Sequence, residues 1–356
     1  MRKTKTFQAL LSFLIAIALI ASLAVGVMGC GDDDDEDGDG LPGKGVTVNP
    51  ARAGWSTGYF HSEIYIKALE ELGYNVKRPV ELQNPAFYTA LAGGELDYWP
   101  NGWFPLHNTQ FNKYQDKISK VGYVAKGGAL EGYLIDKKTA EEYDITNLEQ
   151  FLDPEIAEIF DNDGDGKAEL VACPPGWGCE ETIAHHLDAY ELRDTVDPIK
   201  VDYAIGMAEA VGNYQNGEPI FFYTWTPNWT VNRLVPGEDV VWIEVPFSSL
   251  PESQKDLEDA TIMEGVEGCV SDPCNMGFPA NDIRVAANND FLDKNPAAKK
   301  LFEVASVPLE DIFAQNDLMY EGENSDEEVI GHAEEWIENN RATFDSWIDQ
   351  ALAAAE

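Results

Sequence analysis

Short apolar runs alternate with longer amphipathic segments along most of this chain. Strands are predicted where several apolar or β-branched residues follow one another between turn-forming residues. These segments are 46–48, 132–135, 220–223 and 240–243. Helices are predicted where apolar side chains return every three or four residues and a glycine or capping residue marks an end. These segments are 63–72, 87–92, 147–152, 182–192, 203–216 and 326–356, the last broken near Asn339.

This alternation predicts an α/β fold in which helices cover both faces of the sheets. The chain beyond its N-terminal segments has about 315 residues, which is enough for two domains. In open α/β sheets, ligands bind at strand ends and in the clefts between domains. We therefore expect two α/β lobes with a ligand cleft between them.

The N-terminus has the features of an export signal. A basic start, residues 1–5, precedes an apolar run over residues 9–28, and Gly29 then stands before Cys30. This order predicts a lipoprotein signal peptide over residues 1–29, with lipid attached to Cys30. An uncleaved membrane anchor is the alternative, since the run is nearly long enough to span a bilayer. Either way, we expect an exported protein, tethered to a membrane in the periplasm or at the cell surface.

The charge balance limits the possible partners. The chain has 24 Lys and Arg against 64 Asp and Glu, and removal of residues 1–29 leaves 24 − 3 = 21 basic residues. Such an acidic surface argues against nucleic acid as a partner, and it indicates that membrane attachment depends on the lipid. The acidic, glycine-containing segment 30–40 is predicted to be a solvated, disordered tether. We expect the protein to be a monomer.

Five cysteines fit this compartment. Besides Cys30, two close pairs remain, Cys173 with Cys179 and Cys269 with Cys274. An even number in an exported chain predicts two local disulfides. A four-cysteine zinc site is the alternative, which the intervals and the prolines inside both loops disfavour.

Three tryptophans lie in separate motifs rich in Pro or Gly: Trp103 in 101–107, Trp177 in 173–179 and Trp225 in 223–229. An indole face attracts cations, and several rings together form a cage for quaternary ammonium groups. A fully methylated ammonium has no N–H to donate, and a buried carboxylate would first lose its hydration, a cost that aromatic faces avoid. The motifs therefore predict a site for a methylated ammonium compound. The alternative for any tryptophan is an ordinary core role, and we assign this role to the tryptophans 55, 242, 336 and 347. The tryptophans 99 and 229 border two of the motifs and are secondary candidates for the ligand site.

An acidic loop over residues 161–169 has the spacing of an EF-hand calcium loop. The candidate ligands are Asp161, Asp163, Asp165, Lys167 and Glu169. The twelfth position is Ala172, where such loops usually have an acidic residue. A structural calcium ion and a simple acidic turn both remain open, and no other cofactor is expected.

Several motifs recur in a family-specific order. They are segments 41–45, 132–139, 163–168, 175–180, 223–227, 245–247, 277–279 and 295–298. Together they resemble the periplasmic glycine betaine/proline betaine-binding component of osmoprotectant ABC transporters. The resemblance implies a type II-like periplasmic-binding-protein fold, no enzymatic activity, and delivery of a betaine to a membrane permease with its ATPase. We assign residues 41–131 and 247–356 to lobe 1, and residues 132–246 to lobe 2.

The resemblance also implies roles for individual residues. Trp103, Trp177 and Trp225 match the three tryptophans that surround the trimethylammonium group. His107 and the backbone N–H groups of Trp177 and Gly178 match the groups that hold the betaine carboxylate. The chain departs from the family at three places. Phe104 stands where the family usually has Thr, and Gly102 precedes the first Trp. The pair Cys269 and Cys274 is an addition.

Two other functions remain as alternatives. A binding protein for choline, carnitine, ectoine or proline would need a similar cleft, although choline has no carboxylate to hold. An exported hydrolase is disfavoured, since we expect no nucleophile elbow, no HExxH helix and no free nucleophilic cysteine. We further expect the two lobes to close on the ligand by a hinge near Gly132 and Pro246.

Overall fold

The computed structural model describes residues 40–355. The predicted signal peptide, residue Cys30 and nearly all of the acidic tether lie outside the described residues. Fourteen strands are found in this range, and eight of them have at least four residues. In chain order they are β1 Thr47–Val48, β2 Ala51–Arg52, β3 Asn75–Val76, β4 Val80–Glu81, β5 Tyr98–Phe104, β6 Ile118–Ala129, β7 Glu131–Asp136, β8 Ala168–Val171, β9 Val196–Ile199, β10 Phe221–Trp225, β11 Val240–Ile243, β12 Ile262–Met263, β13 Cys274–Asn275 and β14 Asn281–Asn288.

Thirteen α-helices lie between and after these strands in the described range. They are α1 Tyr59–Glu71, α2 Asn84–Gly93, α3 Asn108–Phe111, α4 Lys137–Tyr143, α5 Pro154–Ala157, α6 Gly178–Ala189, α7 Tyr203–Asn216, α8 Thr230–Arg233, α9 Asn289–Lys294, α10 Pro296–Val304, α11 Leu309–Tyr320, α12 Asp326–Asn339 and α13 Arg341–Ala353. No helix among residues 40–355 combines the length and the apolar character needed to cross a membrane.

Two larger sheets organise the core. Five strands form a mixed sheet in the order β11-β7-β10-β8-β9, and all of them come from residues 131–243. Three strands form an antiparallel sheet in the order β5-β14-β6. Every residue of β5 is buried, because helices and neighbouring strands cover both of its faces. Strands β6 and β7 are separated by one residue, so the chain passes directly from the second sheet to the first.

Most predicted elements are confirmed, some with the predicted bounds and others with different ones. Helix α7 and strand β11 match segments 203–216 and 240–243, and helices α12 and α13 are broken at Asn340 as expected. Helix α6 begins at Gly178 rather than at residue 182, so its first turn includes the predicted ligand-binding glycine. Segment 147–152 is a 3₁₀ helix rather than an α-helix.

Strands β5 and β14 carry no clear strand pattern in the sequence and were not predicted. Pro100 and Gly102 lie inside β5, and both residue types normally argue against a central strand. A Cβ at Gly102 would come within 2.8 Å of the Phe104 ring and 3.2 Å of the Arg284 carbonyl oxygen. Tertiary packing has therefore overridden local propensity here. The division into lobes at the stated boundaries stays a prediction.

Candidate functional site

A small cavity collects the residues that the three tryptophan motifs predict. About 290 Å³ that protein atoms do not fill lies in and around it, part of which is open to solvent. Its lining includes all five predicted ligand-binding residues and six others. The full set is Trp55, Asn84, Trp103, Leu106, His107, Glu131, Trp177, Gly178, Cys179, Tyr223 and Trp225.

Trp103 and Trp225 come from different sheets. Trp103 is the next-to-last residue of β5, and its indole N–H donates to Asn101 Oδ1 at 3.0 Å. Trp225 is the last residue of β10, and its indole N–H donates to Thr57 Oγ1 at 3.0 Å. Both side chains are buried. Because each indole nitrogen already has a partner, the orientation of each ring is fixed before a ligand arrives.

Trp177 occupies the N-cap position of helix α6, directly before Gly178. Its ring contacts Trp225 edge-on with 5.6 Å between centroids. A disulfide between Cys173 and Cys179 closes the loop that holds it. Gly176, inside that loop, has a φ of +89°, a conformation that glycine adopts without strain.

The N-terminus of α6 provides hydrogen-bond donors. The first N–H groups of an α-helix have no acceptor within the helix, and the helix dipole makes this end favourable for anions. Gly178 and Cys179 are the first two residues of α6, and both line the cavity. The Trp177 N–H donates to Pro174 O at 3.3 Å. Gly178 and Cys179 are therefore the helix-start donors at the cavity, and a role for the Trp177 N–H stays a prediction.

Gly178 packs closely against the segment that follows β5. A Cβ at this position would lie 2.8 Å from His107 Cδ2 and 2.9 Å from Leu106 Cγ. Both distances are shorter than real Cβ contacts, so any larger residue would push the helix away from His107. Because Gly178 has no side chain, the N-terminus of α6 and the His107 imidazole can lie side by side in the same wall of the cavity.

His107 is buried and neutral. Burial, together with the charge of Lys120, lowers its pKa to about 3. The Trp103 N–H donates to Nδ1 at 3.2 Å, so Nδ1 is an acceptor and the ring proton is on Nε2. Nε2 lies 3.0 Å from Asn84 Nδ2, while Asn84 Oδ1 has no partner among the described residues. Rotation of the Asn84 amide by 180° satisfies both groups. His107 is thus neutral, and its single N–H, on Nε2, is directed at Asn84, another residue of the cavity lining.

Trp55 belongs to the site, although its sequence context had suggested a structural role. Its ring lies 4.9 Å from the Trp177 ring and 5.7 Å from the Trp99 ring, measured between centroids. It reaches the cavity from the segment between β2 and α1, about fifty residues before the first motif. The Gly54 that precedes it was a possible signal, but a single glycine beside a tryptophan is weak evidence.

Glu131 was also missed, and the sequence argument had pointed away from a buried carboxylate. It is the first residue of β7, lines the cavity and is buried. Tyr223 Oη donates to Glu131 Oε1, and Asn281 Nδ2 donates to Oε2 at 2.6 Å. Burial raises the pKa of this carboxyl to about 7, against the two hydrogen bonds that lower it.

The acidic loop brings together part of the predicted calcium set. Carboxylate oxygens of Asp161, Asp163 and Glu169 lie within 4.8 Å of one another. Backbone N–H groups already occupy them: Gly164 and Gly166 donate to Asp161, and residue 163 donates to Glu169. Lys167 instead donates through its ammonium to Arg193 O. This pattern is that of an acidic turn, and calcium binding stays a prediction.

Two further expectations concern cysteines and catalytic motifs. The structure contains the Cys269–Cys274 disulfide as well as the first one. The expectation that the sequence contains no nucleophile-elbow motif is wrong, because residues 54–58 have the spacing Gly-x-Ser-x-Gly. Ser56, its central residue, begins a 3₁₀ helix, and its hydroxyl donates to Asn316 Oδ1 at 2.9 Å. The hydroxyl partner is therefore an amide rather than a histidine base.

Comparison with solved structures shows the fold. A glycine betaine/L-proline-binding protein from Borrelia burgdorferi superposes with a TM-score of 0.66 at 16% identity, over 87% of this chain and 100% of the other. A lactococcal protein in a closed conformation with glycine betaine gives 0.61 at 19% identity, over 85% and 99%. This chain has the two-lobed fold of periplasmic solute-binding proteins.

Sequence comparison then identifies the family. Residues 46–339 match the model for the substrate-binding domain of ABC-type glycine betaine transport systems. The glycine betaine/proline betaine-binding periplasmic protein of Escherichia coli K12 is 44% identical over 316 residues, which are 88% of this chain and 92% of that protein. A glycine betaine-binding periplasmic protein from Dickeya dadantii is 44% identical over 322 residues, covering 89% and 93%. The chain belongs to this family.

Proposed function

We propose that this protein captures glycine betaine, or a closely related quaternary ammonium zwitterion, and delivers it to an ABC permease for osmoprotection. The observation that carries the proposal is the cavity itself. Trp103, Trp177 and Trp225 supply aromatic faces for the trimethylammonium group. The Gly178 N–H and the His107 Nε2–H, which exchanges its Asn84 partner for the ligand, supply donors for the carboxylate. One cavity thus offers a partner to each end of the zwitterion.

The expected energies are sufficient for binding. A desolvated cation–π contact contributes up to about 2 kcal/mol, and a hydrogen bond to a charged group contributes roughly 1.5–3 kcal/mol. Three rings and two or three donors give enough for a micromolar dissociation constant after the costs of association. Trp55 adds a further aromatic face beside Trp177.

The cellular role follows from the family. The curated relatives are periplasmic binding proteins of bacteria. They support the proposal that this protein acts outside the cytoplasm and catalyses no reaction. That a lipid on Cys30 holds it at the membrane is proposed from the N-terminal sequence alone. Its partners are the betaine and a permease with its ATPase.

The carboxylate donors argue for a betaine over choline. A choline-binding protein also shares the fold, with a TM-score of 0.65 at 18% identity over 87% of this chain and 96% of the other, but this likeness concerns the fold alone. Choline has no carboxylate, so it would leave the Gly178 N–H at the start of α6 without an anionic partner. Unpaired buried donors reduce affinity.

Calorimetric titration against a panel of solutes tests the proposal. We expect glycine betaine to bind with a micromolar or lower dissociation constant, proline betaine comparably, and choline, carnitine and ectoine at least tenfold more weakly. The large acidic charge should affect association little, since the ligand is neutral overall. Tightest binding of choline or ectoine, or no binding of any betaine, would show that the ligand has been assigned wrongly.

A further inference from the structure

Glu131 places an ionisable carboxyl group within the aromatic cavity, on the side of Trp225. The two residues lie directly opposite each other in the antiparallel pair β7–β10, so their side chains share one face of the sheet. The N-terminus of α6, which provides the carboxylate donors, comes from a separate segment of the cavity wall.

Both oxygens of Glu131 accept hydrogen bonds from neutral donors. Tyr223, on the neighbouring strand β10, donates to one oxygen, and the Asn281 amide of β14 donates to the other. Asn281 is itself fixed, because its Oδ1 accepts the Leu106 N–H at 3.0 Å. These contacts support an ionised carboxylate, and none of them supplies a positive charge to balance it.

We propose that the Glu131 carboxylate is a specificity-determining group that pairs with the quaternary ammonium of the ligand and selects for its positive charge. This inference rests on the proposed function. Because a buried carboxylate without a cation is costly and one beside a cation is stabilised, ligand binding favours the ionised form. Ligand binding and loss of a proton from Glu131 are therefore coupled.

The tyrosines and the histidine around Glu131 keep one protonation state between pH 6 and pH 8, and Lys120 is the nearby group that titrates in this region. Burial raises the pKa of Tyr223 and of Tyr133 well above the usual tyrosine value. His107 has a pKa near 3. Lys120 lies behind the His107 segment, with its ammonium 3.9 Å from the centroid of the Phe104 ring, and burial lowers its pKa to about 8.

The proton balance is simple. Below pH 7 the empty protein carries Glu131 mainly as the neutral acid. When the cation enters, the O–H bond of this acid breaks, the carboxylate remains beside the ammonium, and the proton passes to the buffer. The betaine carboxylate stays ionised throughout. Affinity therefore rises with pH through the pKa of Glu131 in the empty protein, then levels off above it.

The test is a calorimetric titration of the whole protein with glycine betaine at pH 6 and pH 8. Titrations at pH 6 in two buffers with different ionisation enthalpies measure the protons released. For the wild-type protein we expect more than half a proton released at pH 6, and an affinity about five- to tenfold higher at pH 8 than at pH 6. This part requires no variant, so it does not depend on a substitution that folds.

Glu131→Gln has nearly the same shape as the wild-type side chain but carries no charge. The glutamine amide can accept from Asn281 and donate to the Tyr223 oxygen, so both partners are kept. We expect it to release no proton, to bind betaine at least fivefold more weakly at pH 8, and to lose the dependence on pH. Asp97→Asn is the matched control. Asp97 is a half-buried carboxylate whose pKa is raised by burial, it accepts from the Asn49 N–H at 2.6 Å, and it is not among the cavity-lining residues.

A second readout needs no ligand. A carboxyl with a raised pKa in the folded state binds its proton more tightly there than in the unfolded chain, so its contribution to stability falls as pH rises from about 4.5 to above 7. The melting temperature of Glu131→Gln relative to wild type should therefore rise between pH 5 and pH 8.

The outcomes separate this inference from the proposed function. No binding of betaine by the wild-type protein at either pH would overturn the proposed function. Tight binding with no proton release and equal affinity at both pH values would overturn the role of Glu131 alone. The same pH dependence in Glu131→Gln as in wild type would assign the titration to another group, such as Lys120, and would also overturn it.

Discussion

Replacing Trp177 with alanine is expected to weaken glycine betaine binding at least tenfold, which corresponds to about 1.4 kcal/mol. The Trp177 ring lies between two other indoles of the cavity, 4.9 Å from Trp55 and 5.6 Å from Trp225. Its removal deletes one face of the cage and admits water beside the ammonium group. Because Trp177 is only half-buried, the substitution should affect binding more than folding.

Trp336→Ala is the control for this experiment. Trp336 is also half-buried, but it lies on helix α12 and stacks on Trp347 at 5.9 Å, outside the cavity lining. We expect it to lower stability without changing the dissociation constant. Titration of both variants, with thermal melts alongside, separates the two effects. An unchanged affinity in Trp177→Ala would remove this ring from the binding site.

Gly178→Ala should weaken binding by roughly tenfold to a hundredfold. The added methyl group would meet His107 Cδ2 at 2.8 Å and Leu106 Cγ at 2.9 Å, so α6 and the imidazole must move apart. The ligand carboxylate then cannot contact both walls at once. Loss of one charge-assisted hydrogen bond of roughly 1.5–3 kcal/mol gives this range.

The matched control is Gly212→Ala, in the interior of helix α7. No atom lies within 4 Å of the position that its Cβ would take. Since alanine is the better helix former, this variant should be slightly more stable and should bind betaine as wild type does. Equal affinity for the two variants would show that the close packing of Gly178 does not serve the ligand.

The aromatic part of the site could be predicted because its residues carry local signals. Trp103, Trp177 and Trp225 each lie at or next to an element end among Pro and Gly, and the structure brings them to one cavity. Helix α7 was also predictable, since its apolar period is regular and Gly217 ends it with a left-handed C-cap.

The remaining site residues depend on tertiary contacts. Glu131 is a polar residue at the start of a strand, and its local sequence does not distinguish it from an exposed one. Its place in the cavity follows only from its pairing with Trp225 and its hydrogen bonds to Tyr223 and Asn281. Trp55 reaches the cavity from a segment about fifty residues before the first tryptophan motif. Burying a carboxylate is costly, and two neutral donors that only the fold brings together offset part of that cost.

The central claim is that this cavity recognises a quaternary ammonium by its charge. The most direct measurement is a calorimetric titration with glycine betaine and with 3,3-dimethylbutanoate, in which a carbon atom replaces the charged nitrogen at nearly the same shape. The account predicts micromolar or tighter binding of glycine betaine and at least a hundredfold weaker binding of the carbon analogue, because cation–π contacts contribute several kcal/mol in total. Comparable affinities for the two ligands would contradict it.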